Sequence, residues 1–213
     1  MNVRVRQSGF SLPEVLMVAA VLGLLAALVL GLGRRLYRQS QERLTGGAIE
    51  ILVAAMEQYH EAYDAFPFMT HPLTPTDTTT GFTEADLRAV LRGGTAVAGD
   101  TVTGTSERYE PRTGTYYYQY ESSEALYYFL SREPNSRRLV DTISPSLMTS
   151  RDKSGVNREF TFSGQGQPIR LMRFVDAWDR ALQYALTPTM SFPVITSAGV
   201  DGKFGTSDDL TSR

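Results

Sequence analysis

Apolar positions run unbroken over residues 15–33, 19 residues with neither charge nor proline. Counting from Phe10 gives 24 residues, with Glu14 as their one charge. At 1.5 Å per residue such a run spans roughly 30 Å, the thickness of a bilayer core, and predicts a membrane-crossing helix. Beyond Arg34 and Arg35 the pattern changes. Ile49, Leu52, Val53, Met56, Tyr59, His60 and Tyr63 recur at steps of three and four, the stripe of an amphipathic helix with one buried face. The two patterns join into one long helix from about Ser11 to Asp64, ending before Pro67. Gly46-Gly47 is its weak point, at about 1 kcal/mol per glycine relative to alanine, and a bend or local melting is expected there.

The next stretch is mixed. Residues 69–82 are Thr/Pro-rich and read as a loop. Thr83-Glu84-Ala85-Asp86 has the form of a capping box opening a short helix to about Arg92, stopped by Gly93-Gly94. Residues 115–134 hold seven aromatics and end near Pro134. There, Ser122 or Ser123 is expected to cap a helix carrying Ala125, Leu126, Phe129 and Leu130 inward. Its tyrosines suit packing, or an aromatic surface for a partner subunit or a secreted substrate. In the last third, residues 158–164, 169–178, 181–187 and 192–199 are short and β-favourable, separated by Gly, Pro and Asp. Short links favour antiparallel pairing, so the expected class is α+β: a long N-terminal helix laid on a small antiparallel sheet.

Composition narrows the function. The net charge of −2 over 213 residues lacks the basic stripe of a nucleic-acid binder, so no nucleic acid is expected as partner. Cysteine is absent, which removes disulfides, thiolate nucleophiles and sulfur-ligated metals together. His60 and His71 are too few for a histidine-rich metal site and are expected to have no chemical role. No G-x-S-x-G, H-E-x-x-H or G-x-G-x-x-G motif occurs. Gly202-Lys203 looks like the end of a phosphate-binding loop, but Ser197 and Phe204 stand where that loop needs Gly and Ser or Thr. The chain does not read as an enzyme.

Glu14 separates three readings of the apolar run. A secretory signal peptide would be shorter and end in a small-x-small site, whereas this run ends in Gly33-Arg34-Arg35. A plain anchor has the right length but leaves a carboxylate in lipid at a cost of about 3 kcal/mol. The third reading removes the leader, residues 1–9, by cleavage after Gly9. Phe10 then becomes an N-terminus whose amine lies four residues from Glu14, on the same helix face. The carboxylate also sits in the first helical turn, where the dipole favours negative charge. Its partner is then the amine of Phe10 of the same chain or of a neighbouring subunit.

Gly9-Phe10-Ser11-Leu12-Pro13-Glu14, behind a leader with Arg4 and Arg6, closely resembles the class III signal of type IV pilins and type II secretion pseudopilins. The resemblance implies a prepilin peptidase that cleaves after Gly9 and N-methylates Phe10, with Glu14 needed for assembly. It implies a single-pass protein of the bacterial cytoplasmic (inner) membrane, its globular domain on the periplasmic or outer side. Arg34, Arg35, Arg38 and Arg43 outnumber the leader's basic residues, and by the positive-inside rule they point the other way. The implied partners are membrane lipid, other copies of the chain, minor pseudopilins, prepilin peptidase and the inner-membrane secretion platform. The divisions that follow are residues 1–9 as leader, 10–33 as transmembrane and assembly helix, 34–66 as amphipathic continuation and 67–213 as globular domain.

Residues 197–209 place Asp201, Asp208 and Asp209 among three glycines. Hard cations take six to eight oxygens from carboxylates and carbonyls, and glycines let a loop present both, although the spacing is not that of an EF-hand. A solvated polar turn is the plain alternative. The loop is similar to the C-terminal calcium loop of the major pseudopilin of type II secretion. That resemblance implies Ca²⁺ on Asp201, Asp208 and Asp209, with backbone carbonyls near Ser197 and Lys203. Upstream, Asp176-Ala177-Trp178-Asp179 resembles the same family's D-P-W-G turn, departing from it at Ala177 and Asp179. Residues 70–165 carry no such likeness. The leading expectation is a pseudopilus subunit of type II secretion, and the alternative is a type IV pilin, major or minor, for adhesion, motility or DNA uptake.

Overall fold

Helix α1 (Leu12–Tyr63) runs without interruption through Gly46-Gly47, so the local melting expected there does not occur. Thr45, Ala48 and Ile49 on either side are buried, and tertiary burial outweighs the intrinsic cost of two glycines. The helix ends at Asp64, whose φ of 52° is a left-handed cap and whose N–H still bonds the His60 carbonyl at 2.8 Å. Of the expected stripe, Ile49, Leu52, Met56 and Tyr59 are buried. Tyr63 is 52% exposed and instead stacks on Tyr59, with ring centroids 4.6 Å apart.

The structure, a computed structural model, describes residues 12–67, 84–94, 97–105, 120–164, 167–186 and 190–212. Within α1 the side chains of residues 26–32 and 34 are outside that description. So are the leader, Gly9, Phe10, the Thr/Pro-rich loop with His71, Thr83 of the expected capping box, and Tyr116, Tyr117 and Tyr118. The chain divides into two units, one ending at Ser40 and the other beginning at Gln41. In the first, the backbone is the first part of α1, and every side chain over residues 12–25 is exposed.

The second unit adds α2 (Glu84–Arg92), α3 (Glu121–Leu130), α4 (Pro134–Val140) and a 3₁₀ turn (Pro145–Leu147). Its strands are β1 (Thr101–Thr103), β2 (Met148–Thr149), β3 (Glu159–Thr161), β4 (Ile169–Arg170), β5 (Arg173–Phe174), β6 (Gln183–Ala185), β7 (Val194–Ser197) and β8 (Leu210–Thr211). All pairings are antiparallel, in the orders β1-β3-β4, β2-β5 and β6-β7-β8. The class is α+β as expected, but the single sheet is three small ones. The break falls inside residues 169–178: the Leu171 N–H bonds the Arg158 carbonyl at 2.9 Å, and the chain then crosses to pair Phe174 with Met148.

Helix α3 decides that arrangement. Leu126 and Leu130 join a core with Leu52, Met56, Phe174, Leu182 and Ile195, while Ala125 faces a second core with Leu87, Val90, Phe160 and Leu171. Ser122 and Ser123 lie inside the first turn rather than capping it, and the N-cap position is Tyr120, with no side-chain cap. The Ser123 hydroxyl donates to the Phe174 carbonyl at 3.1 Å and accepts from the Phe174 N–H at 2.9 Å, fastening α3 to β5. Pro134, near which the aromatic stretch ends, is the first residue of α4, behind an N-cap carboxylate from Glu133 that accepts from the Ser136 N–H.

Candidate functional site

The turn at Asp176 organises the C-terminal part of the molecule. Its Oδ1 accepts from the Trp178 and Arg180 N–H groups, both at 2.9 Å, and its Oδ2 accepts from the Ser197 hydroxyl at 2.7 Å. The carboxylate is 1% exposed, and burial pushes its pKa up against those hydrogen bonds. Asp179, in the glycine place of the D-P-W-G pattern, adopts φ 62°, the left-handed conformation that glycine takes most easily. Ala177, in the proline place, uses the N–H that proline lacks: it donates to the Thr45 hydroxyl at 3.0 Å. Gln41 Nε2 donates to the Ala177 carbonyl at 2.9 Å, so two residues of α1 hold this turn.

The acidic loop is the connection between β7 and β8, closed where Ser197 pairs with Leu210. Arg180 reaches in from the Asp176 turn, donating to the Gly199 carbonyl and, at 3.1 Å, to the Val200 carbonyl. Asp208 accepts from the Asp201 N–H at 2.8 Å and from the Thr206 hydroxyl at 2.6 Å; these bonds lower its pKa, the Thr206 hydroxyl contributing most. Asp201 accepts from the Lys203 N–H at 2.7 Å, and Asp209 from the Gly205 N–H at 2.7 Å. The Lys203 carbonyl accepts from the Thr206 hydroxyl at 3.1 Å. The loop therefore satisfies its own turns with its own carboxylates.

Asp201 and Asp208 converge on the one hydroxyl of Thr206, and Asp209 Oδ1 is buried with no hydrogen-bond partner. The Ser197 hydroxyl is committed to Asp176, which leaves its carbonyl as the expected contributor. Among the described residues, however, no three His, Asp or Glu side chains are grouped to hold a metal.

At the other end of the chain, Glu14 lies in the first turn of α1, exposed, with Leu12, Val15, Leu16, Met17 and Val18 exposed around it. Gly9 and Phe10 are outside the described residues. Residues 4–30 match the prokaryotic N-terminal methylation motif. The motif spans the basic leader, the Gly9-Phe10 junction, Glu14 and most of the apolar run. No curated protein and no solved structure matches the chain. The backbone of the apolar run is helical throughout, as part of α1, and its side chains are described over residues 12–25 and at Gly33. Among the described residues no helix is long and apolar enough to cross a membrane.

One polar cluster escaped sequence reading. Arg158 is fully buried and donates through Nε to Glu124 Oε1 at 2.7 Å and through Nη2 to Glu124 Oε2 at 3.1 Å, with Glu121 at 3.5 Å. Arg173 lies 3.7 Å over the Tyr120 ring and donates to the Arg151 carbonyl. Burial raises the Glu124 pKa to about 7 and lowers that of Arg173. The usable signal was Glu121 and Glu124 three residues apart inside an aromatic helix, with arginines inside two strand-like runs. The cluster joins α3 to the segments bearing β3 and β5, and nothing about it marks a reaction centre.

Proposed function

We propose that the chain is a pilin-like structural subunit that prepilin peptidase cleaves after Gly9 and methylates at Phe10, and that it polymerises through α1. The carrying observation is the methylation motif at residues 4–30. Two features support it: Glu14 in the first turn of α1, at i+4 from Phe10, and the exposed apolar surface of residues 12–25. A helix apolar on all sides requires lipid or neighbouring helices, and this reading supplies lipid before assembly and other copies afterwards. The globular part then lies outside the cytoplasmic membrane.

The finer reading is a type II secretion pseudopilus subunit, related to the major pseudopilin and working with minor pseudopilins and the inner-membrane platform. It rests on the Asp176 turn and the acidic loop, where Asp201, Asp208 and Asp209 with the Ser197 and Lys203 carbonyls would hold Ca²⁺. Bound there, the ion would cross-link the turns of the β7–β8 loop. The alternative, a type IV pilin for adhesion, motility or DNA uptake, shares the signal and differs in its gene neighbours: a secretion ATPase, a secretin and several pseudopilin genes favour export. Mass spectrometry of the mature N-terminus tests the shared reading. A methylated Phe10 is expected, and an intact Met1 overturns it.

A further inference from the structure

On the second unit, α1 and β8 flank a groove of about 470 Å³ lined by Gly46, Ile49, Glu50, Val53, Asp209 and Leu210. A Cβ built on Gly46 meets nothing within 4 Å, so the groove is open there. Ile49, Val53 and Leu210 give it an apolar side, while Glu50 gives it an exposed carboxylate. Among the described residues Glu50 has no ion pair or hydrogen bond. An apolar wall ending in an exposed carboxylate suits a side chain with an aliphatic stem and a guanidinium head.

Such side chains stand unused on the same protein. Arg35, Arg38 and Arg43 are exposed, and among the described residues none makes an ion pair or hydrogen bond. We infer that the α1–β8 groove receives an arginine from residues 35–43 of a second copy of the chain. The two patches differ, so the contact is heterologous: each copy donates an arginine to one neighbour and accepts one from another. Repeated contacts of that kind build an open helical polymer rather than a closed dimer. The inference rests on the reading of the chain as a polymerising subunit, and it adds a polar contact that sets which groove meets which helix.

The absence of cysteine makes the test direct. Two full-length copies with different tags are co-expressed, one with Glu50→Cys and the other with Arg35→Cys, Arg38→Cys or Arg43→Cys. Assembled material is then treated with a short bismaleimide. A mixed-tag dimer is expected for at least one arginine position. In cysteine-free protein, Glu50→Arg should lower polymer yield by about fivefold, the upper range for one exposed ion pair, and Arg→Glu at the cross-linking position should restore it. Polymers visible by electron microscopy with no mixed-tag dimer at any position overturn the inference and leave the subunit reading standing. Cross-linking of Glu50→Cys to a different protein also overturns it. Absence of polymer in every background overturns both.

Discussion

Gly199 shows how one residue holds the acidic loop in shape. Its φ is +58°, and a Cβ built there would meet the Asp208 carbonyl oxygen at 2.1 Å and its carbon at 2.7 Å. Backbone cannot rotate aside as a flexible side chain would. Gly199→Ala is therefore expected to destabilise the protein by about 2 kcal/mol, within the range for a strained backbone position. Urea denaturation measures it, and an unchanged midpoint would refute the steric account. Asp179 makes the complementary point. A non-glycine residue at φ 62° preserves the turn, with its cost offset by the three hydrogen bonds that converge on Asp176.

Between elements, the contact of α3 with the segments bearing β3 and β5 runs through buried charge. Glu124 has a folded pKa of about 7, above its ordinary 4.5, so the folded protein holds that proton more tightly than the unfolded chain. Stability from this group is full below about pH 4.5 and is lost as pH rises towards 7. Arg158→Met removes the bidentate partner and should cost about 4 kcal/mol at pH 8, where a bare carboxylate is left buried. At pH 5 the carboxyl is protonated, and the cost should be clearly smaller. Denaturant titrations at the two values decide it; equal losses would mean that Arg158 contributes packing rather than charge compensation. The β7–β8 loop carries a second expectation at this scale. Millimolar calcium should raise the melting temperature of the full chain, because a ligand bound only to the folded state stabilises it. Asp201→Ala should abolish the rise, and no rise in the parent chain would remove calcium from the proposed function.

For the molecule as a whole, the expected work is assembly. Residues 12–25 present apolar side chains in every direction, with one carboxylate in the first turn. Glu14→Ala should leave cleavage after Gly9 intact and lower polymer yield by at least about tenfold, the scale of losing one partnered charge in an apolar setting. Membrane fractionation with electron microscopy reads both outcomes. Unchanged polymer would show that the carboxylate has no part in assembly.

Local pattern alone determined much of this protein. The apolar run, the amphipathic stripe, the α2 boundaries, the antiparallel strands of the last third and the Gly9-Phe10…Glu14 signal are each written within a few dozen residues, at periods a helix or strand imposes. Tertiary structure decided the rest, because it depends on partners remote in sequence. Arg158 meets Glu124 across 34 positions, and the Ala177 N–H meets Thr45 across 132. Neither pairing leaves a periodic trace. The same holds for Ser122 and Ser123, whose composition suggests caps but whose hydroxyls face strands from the last third. It holds too for β8, whose two residues form a strand only because β7 is there to pair with them.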